Sequence, residues 1–348
     1  MNPTVLTILI SSLGLGTTMT FISSHWLLAW MGLEINTLAI IPLMIHQYHP
    51  RATEATTKYF LTQATASALL LFASVTNAWA SGEWSLLEML NPTSATLVTM
   101  ALALKIGLAP AHFWLPEVLQ GLDLTTGLIL TTWQKLAPFA ILLQLHPLLN
   151  PNLLLFLGVS STLIGGWGGL NQTQLRKILA YSSIAHLGWM ITILHFSPNL
   201  TQLTLALYII MTLTAFLLFK MFNATKINSI ALSTTKSPLL SALTLMTLLS
   251  LGGLPPLSGF MPKWLILQEL TKQNLAIPAT ILALATLLSL FFYLRLCYST
   301  TLTMSPWPTY LSPSWRTKPL QPSSILMMAA SLSIFLLPLT PAIFTLAL

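Results

Sequence analysis

The sequence predicts an all-α polytopic membrane protein, and three observations carry that prediction. Of its 348 residues, 55% are hydrophobic and only 6% charged, with a mean hydropathy of +0.78, whereas a soluble domain carries about 25% charge. Apolar stretches of about 20 residues, the length that crosses a bilayer as a helix, recur along the whole chain. The longest hydrophilic interval, from about Tyr298 to Pro322, is too short to build a core. A single membrane domain over residues 1–348 follows.

Eleven spans are expected, at about 3–22, 25–45, 58–80, 95–115, 125–146, 152–170, 176–195, 201–222, 238–272, 276–297 and 323–346. The first begins almost at Met1. It lacks the basic start and small-residue cleavage site of a signal peptide, and the Arg/Ser-rich character of a transit peptide. The fourth is interrupted by Pro110 and ends at Pro116. The ninth is too long for one straight helix. Gly252, Gly253, Pro255, Pro256 and Gly259 loosen its ladder, so it reads as two half-helices with an unwound joint. The run Gly165-Gly166-Trp167-Gly168-Gly169 in the sixth reads as a surface for close helix packing, and most tryptophans and tyrosines read as interface anchors.

Charge asymmetry supports the span count. Loops after even-numbered spans carry Arg51, Lys58, Arg176, Lys177, Lys220, Lys226, Lys236, Arg295, Arg316 and Lys318, whereas loops after odd-numbered spans carry only Lys272. The even loops and the N-terminus are therefore expected on the positive-inside face, and the C-terminus opposite. The net charge of +7 comes from residues scattered singly between spans, which excludes a nucleic-acid patch. The two interrupted spans also match. Gly107-Leu108-Ala109-Pro110 precedes Pro116, and Gly253-Leu254-Pro255-Pro256 precedes Pro262, at a constant offset of 146. Spans 4 and 9 are an odd number apart, so two inverted five-helix repeats are expected, over about 1–146 and 152–297, plus an eleventh helix at about 323–346. Broken helices at matching positions point to an ion site.

Four ionisable residues fall near the middle of apolar spans: Glu34, Lys105, Lys135 and Lys263. Each costs from about 2.5 to more than 10 kcal/mol in hydrocarbon, so such groups mark ion or proton paths. Burial disfavours an ammonium and a nearby carboxylate favours it. A changing Glu34–Lys105 distance would thus modulate proton affinity, and Lys105 and Lys135, both expected near helix centres, would titrate as a coupled pair. Blander readings stand beside these. Glu34 with Lys105 could be a structural ion pair, Lys135 and Lys263 packing residues, and His186 and His112 hydrogen-bonded core histidines. Glu117 and Asp123 read as solvated loop residues. Cys297, the only cysteine, can form no intrachain disulfide, and no cluster exists to hold iron–sulfur or zinc.

Several blocks carry a family resemblance: Ser24-His25-Trp26-Leu27-Leu28, Pro50-Arg51-Ala52-Thr53-Glu54-Ala55, Lys58-Tyr59-Phe60-Leu61-Thr62-Gln63 and Phe113-Trp114-Leu115-Pro116-Glu117. Others are Gly165 through Thr173, Arg176-Lys177, Ala180 through His186, and Gly252 through Phe260. With these, residues 1 to about 305 resemble the subunit 2 branch of the antiporter-like, proton-translocating family of mitochondrial NADH–ubiquinone oxidoreductase (complex I). Beyond Tyr298 the resemblance is looser. Length and first-span position resemble the vertebrate form, which lacks three N-terminal helices of bacterial relatives.

The resemblance implies a proton relay of Glu34, Lys105, Lys135, Lys263 and the intervening His186. It implies no cofactor in this chain, because flavin, iron–sulfur clusters and quinone belong to other subunits. It implies partners among complex I subunits, especially membrane-arm neighbours such as subunits 4 and 4L, with lipid including cardiolipin, and no substrate beyond protons and water. It also implies the mitochondrial inner membrane, with the N-terminus in the matrix and the C-terminus in the intermembrane space. A stand-alone cation/proton antiporter would share these features. A structural spacer would not need midplane charges, and a self-contained oxidoreductase lacks its nucleotide-binding glycines and metal ligands.

Overall fold

The computed structural model describes residues 2–46, 49–89, 91–231, 238–302 and 324–342. Among these the regular structure is helical, with no strand and only the isolated bridges His25–Ser85 and Gln174–Lys226. Hydrocarbon offers no water to backbone groups, so each span must satisfy its own donors and acceptors, and the helix does so. Serine and threonine are tolerated because their hydroxyls turn inward. Thr17, Thr20, Ser161 and Thr192, for example, each donate to the carbonyl three residues back.

Two compact units are present. The first comprises Met1–Ile164 and Ser183–Pro198. It holds α1 (Pro3–Ile22), α2 (Trp26–Ile45), α3 (Pro50–Ser81), α4 (Pro92–Ile106), α5 (Trp114–Gly121), α6 (Leu124–Thr131) and α7 (Trp133–Leu145), with most of α8 (Pro151–Gly169) and the second half of α9 (Leu175–Ile193). The second comprises Gly165–Ser182 and Asn199–Leu348. It holds α10 (Pro198–Met221), α11 (Ile227–Ala231), α12 (Pro238–Gly252), α13 (Phe260–Lys272), α14 (Ala276–Thr301) and α15 (Ser324–Phe335).

Among the described residues seven helices, counting Leu124–Leu148 as one, are long and apolar enough to cross a membrane, and shorter apolar helices accompany them. Both expected breaks are present. The unwound segments 107–113 and 253–259 separate α4 from α5 and α12 from α13. Each opens on a glycine at positive φ, 84° at Gly107 and 80° at Gly253, where a side chain would be strained. In both, the residue after the glycine donates back to the carbonyl five positions earlier (Leu108 to Ala103, Leu254 to Leu249), closing the half-helix in the same way.

The structure corrects four expectations. The third helix starts at Pro50 rather than near 58. Its 32 residues reach about 48 Å, well beyond a hydrocarbon core of about 30 Å, so its first turns can be polar. The fifth span is also broken, at Thr132, where the Thr131 and Thr132 hydroxyls compete for the Gly127 and Leu128 carbonyls. Glu117 lies on α5 rather than in a loop. It shares Lys58 with Glu54, both at 2.8 Å, in an exposed triad that contributes little stability. The last span is interrupted after Phe335 by a 3₁₀ turn containing Pro338, and helix resumes at Thr340. Lys236, Arg316, Lys318 and residues 323 and 343–346 of the eleventh span lie outside the described residues.

Glycines set the closest crossings. Gly166, Gly168 and Gly169 bring α8 against Leu288, Tyr181 and Phe292, the packing role read from that run. Within the first unit α8 and α9 cross at reciprocal glycines. A Cβ on Gly158 would lie 2.9 Å from the Gly188 carbonyl, and one on Gly188 would lie 2.7 Å from the Gly158 carbonyl. Because backbone stands on both sides, Gly188→Ala should push the helices apart and destabilise by about 1–3 kcal/mol. A lowered thermal midpoint of the purified protein in detergent is the expected reading. An unchanged midpoint would contradict the crossing.

Candidate functional site

The site is built on helix breaks. Lys105 lies in the last turn of α4, at the negative end of that half-helix, where a cation is favoured. The bend leaves carbonyls without helical donors, and side chains supply them. Trp114 Nε1 donates to Leu104 O at 3.1 Å and Gln63 Nε2 to Lys105 O at 3.4 Å. Lys135 is the third residue of α7, just past the Thr132 break. Pro138 lacks the N–H that would bond the Gln134 carbonyl, and Gln134 Nε2 crosses to Asn36 O of α2 at 3.2 Å. The sequence pointed to helix centres for both lysines, and the structure corrects this. Both are placed where the helix is interrupted.

These breaks bring Lys105 and Lys135, 7% and 5% exposed, to one cavity of about 20 Å³. Its polar lining is completed by Asn36, Thr37, Tyr59, Gln63 and Gln134, and its apolar wall includes Leu33, Ile106 and Trp114. Glu34 is half-buried on α2, within electrostatic reach of Lys105 and Tyr59. It does not close a contact ion pair with Lys105. Glu34 Oε2 and Lys105 Nζ are both buried without a hydrogen-bond partner. The structural ion-pair reading therefore has no contact to rest on. What the arrangement can do is let a carboxylate and a lysine interact at a distance, beside a second lysine across a polar cavity.

His186 is half-buried on α9 and does not line the cavity. His112 is 3% exposed in the unwound segment, with Nδ1 3.3 Å from the Pro110 carbonyl and its ring against Phe113. Asp123 is exposed at the start of α6.

In the second unit Lys263 stands on α13 and donates from Nζ to the Gly252 carbonyl at 2.9 Å, so its ammonium caps the negative end of α12 across the break. A Cβ on Gly253 would lie 2.8 Å from that nitrogen, so the glycine makes room for it. Both broken spans thus carry a lysine at the end of their first half-helix, from different sequence positions. At an offset of 146, Lys105 matches Leu251, and Lys263 matches Glu117. Free Cys297 is buried, and among the described residues no group of His, Cys, Asp and Glu could hold a metal.

Sequence reasoning did not single out Asn36, Gln63 or Gln134. The signal was available, because an amide in an apolar span also needs partners that lipid cannot supply. Asn36, Gln63 and Gln134 each stand within such a span.

Residues 23–289 match the family model for the NADH:quinone oxidoreductase/Mrp antiporter transmembrane region, and residues 290–344 match that for the NADH dehydrogenase subunit 2 C-terminus. The second match covers the stretch where the motif resemblance was loose. The chain is 87% identical over 348 residues to NADH-ubiquinone oxidoreductase chain 2 of Squalus acanthias, covering 100% of both. It is 81% identical over 343 residues to that of Scyliorhinus canicula, covering 99% of each. Its fold is similar to a chain of respiratory complex I from Thermus thermophilus solved with bound aureothin (TM-score 0.86, 28% identity, covering 97% of this chain and 78% of that one). It is also similar to a chain of the Mrp complex from Dietzia sp. DQ12-45-1b (TM-score 0.83, 15% identity, 97% and 76%), a likeness of fold alone. With close relatives matched end to end and family models covering nearly the whole chain, this protein belongs to the NADH:quinone oxidoreductase/Mrp antiporter family, in its NADH-ubiquinone oxidoreductase chain 2 group.

Proposed function

We propose that this chain is a core membrane subunit of the respiratory NADH:ubiquinone oxidoreductase and moves protons across the mitochondrial inner membrane, driven by redox chemistry in other subunits. The observation that carries this reading is the polar cavity shared by Lys105 and Lys135 beside a Glu34 that makes no contact ion pair with Lys105. Protonated Lys105 is favoured while the Glu34 carboxylate is near, and loses that support when the charge moves or is neutralised. A proton released by Lys105 then has a second basic nitrogen on the other side of the cavity. Lys263 and His186 complete the relay in this reading. Lys263 can hold its charge on the Gly252 carbonyl or give its proton up and weaken that bond.

The spans are read as eleven, in two inverted repeats plus a C-terminal helix. The equal seven-residue breaks at 107–113 and 253–259, with the same left-handed glycine at each start, support the repeat. The N-terminus faces the matrix and the C-terminus the intermembrane space. Subunits 4 and 4L and cardiolipin are the proposed neighbours, and the flavin, iron–sulfur clusters and quinone are handled elsewhere in the assembly. A stand-alone cation/proton antiporter is the alternative. The Mrp likeness extends to fold alone, while close identity to chain 2 relatives favours the respiratory subunit.

The topology has a direct test. Single cysteines near Arg176 and near His195, at opposite ends of α9, should react with impermeant reagents from opposite sides, Arg176 from the matrix. Labelling of both from one side would remove the eleven-span arrangement.

The relay is tested on its first pair. Glu34→Gln keeps the shape and removes the charge, and Lys105→Met removes the proton carrier. Each should depress proton uptake measured beside NADH oxidation in reconstituted vesicles by roughly tenfold or more. The double variant should be little worse than either single one, because the two groups act as a unit. Strictly additive losses would separate Glu34 from Lys105, and full pumping in either single variant would overturn the relay.

A further inference from the structure

We propose that Asn36 is a positioning residue for proton transfer. Its side-chain amide holds a water molecule in the cavity between Lys105 and Lys135, and that water carries the proton from one lysine to the other.

Three residues with amide side chains line this cavity. Gln63 donates to the Lys105 carbonyl and Gln134 to the Asn36 carbonyl, so each amide already holds a backbone partner. Asn36 differs. It is 2% exposed, yet its Oδ1 and Nδ2 are both buried without a hydrogen-bond partner. A buried donor and acceptor on one group, both unmatched by protein, are rarely kept in a fold unless something occupies them. Lys105 Nζ, on the same cavity, is also buried without a partner.

The cavity of about 20 Å³ is the size that one water fills, and its polar lining supplies the two to four partners a buried water needs. The chain also protects the position of the amide. A Cβ on Gly16 of α1 would come within 2.5 Å of Asn36 Oδ1, so that glycine leaves the space in which the amide stands.

An amide suits this task because it both donates and accepts. In the transfer the Lys105 N–H bond breaks and its proton joins the water oxygen. One of the water's own O–H bonds then breaks, and that proton bonds to neutral Lys135. One positive charge moves, no electron is transferred, and a water is regenerated in a turned orientation. Asn36 can accept from the water in one orientation and donate to it in the other, so the site survives the turn that resets it. A carboxylate here would trap the proton, and an aliphatic side chain would leave the water without an anchor.

This inference rests on the proton-relay reading, and the test separates the two. Asn36→Leu, Asn36→Ser and Lys105→Met are made in the assembled respiratory complex, with assembly checked on native gels. Proton uptake per NADH oxidised is measured in vesicles, and cavity density is read from high-resolution cryo-electron microscopy maps. The wild type should show a water peak within hydrogen-bond distance of the Asn36 amide. Asn36→Leu should lose that peak and pump roughly tenfold slower or worse, the scale of a misplaced reacting group. Asn36→Ser, whose hydroxyl both donates and accepts, should retain the peak and recover most of the pumping, which a purely structural role for Asn36 would not require. Absence of the peak in the wild type overturns the proposal. So does normal pumping in Asn36→Leu when Lys105→Met is inactive, and in that case the relay itself stands. Normal pumping in Lys105→Met overturns the relay reading and this inference with it.

Discussion

A backbone carbonyl that loses its helical donor inside hydrocarbon must find another partner, and much of this structure follows from that constraint. Where α4 stops at Gly107, the Leu104 carbonyl takes the Trp114 indole N–H and the Lys105 carbonyl takes Gln63. Where α12 stops at Gly253, the Gly252 carbonyl takes the Lys263 ammonium. On α7 Pro138 withholds its N–H from the Gln134 carbonyl, and the Gln134 side chain separately donates to the Asn36 carbonyl of α2. Each break therefore gathers indole, amide and ammonium groups in a place lipid would otherwise exclude. The polar cavity between Lys105 and Lys135 is the product of two such breaks on neighbouring spans.

The charged residues and the glycine–proline breaks were legible because both carry large penalties in an apolar span, and a large penalty leaves a sharp mark in sequence. Glu34, Lys105, Lys135 and Lys263 stood out against their surroundings, and Gly107 and Gly253 fell at the points where the helices end. The break at Thr132 was not legible. Threonine is common in membrane helices, and nothing local says whether its hydroxyl supports the ladder or competes with it. Asn36, Gln63 and Gln134 carry no charge and so leave a fainter mark, although their amides complete the lining of the cavity. The start of α3 was set too late because Arg51, Glu54 and Lys58 read as loop. In the structure they lie on a 32-residue helix, longer than a hydrocarbon core of about 30 Å requires, with Lys58 paired to Glu54 and Glu117.

Side-chain pairing was the least legible level. Lys105 is long and flexible, so Glu34 beside it was compatible with a closed ion pair or with interaction at a distance. The structure has the second arrangement. That difference matters for the proposed function. A closed buried pair would hold its proton on one partner, whereas groups separated by a short gap change their mutual energy steeply as the gap changes. The two broken spans also bring a lysine to the same half-helix end from positions that do not correspond in sequence, Lys105 from before the break and Lys263 from after it.

The central claim is that charge crosses the cavity from Lys105 to Lys135, and the most direct measurement is proton release in the assembled complex carrying Lys135→Met. NADH oxidation by a water-soluble electron acceptor, which bypasses the membrane arm, should remain intact. Proton translocation coupled to quinone reduction should fall together with the quinone-linked rate. Undiminished proton translocation per electron in that variant would contradict the account.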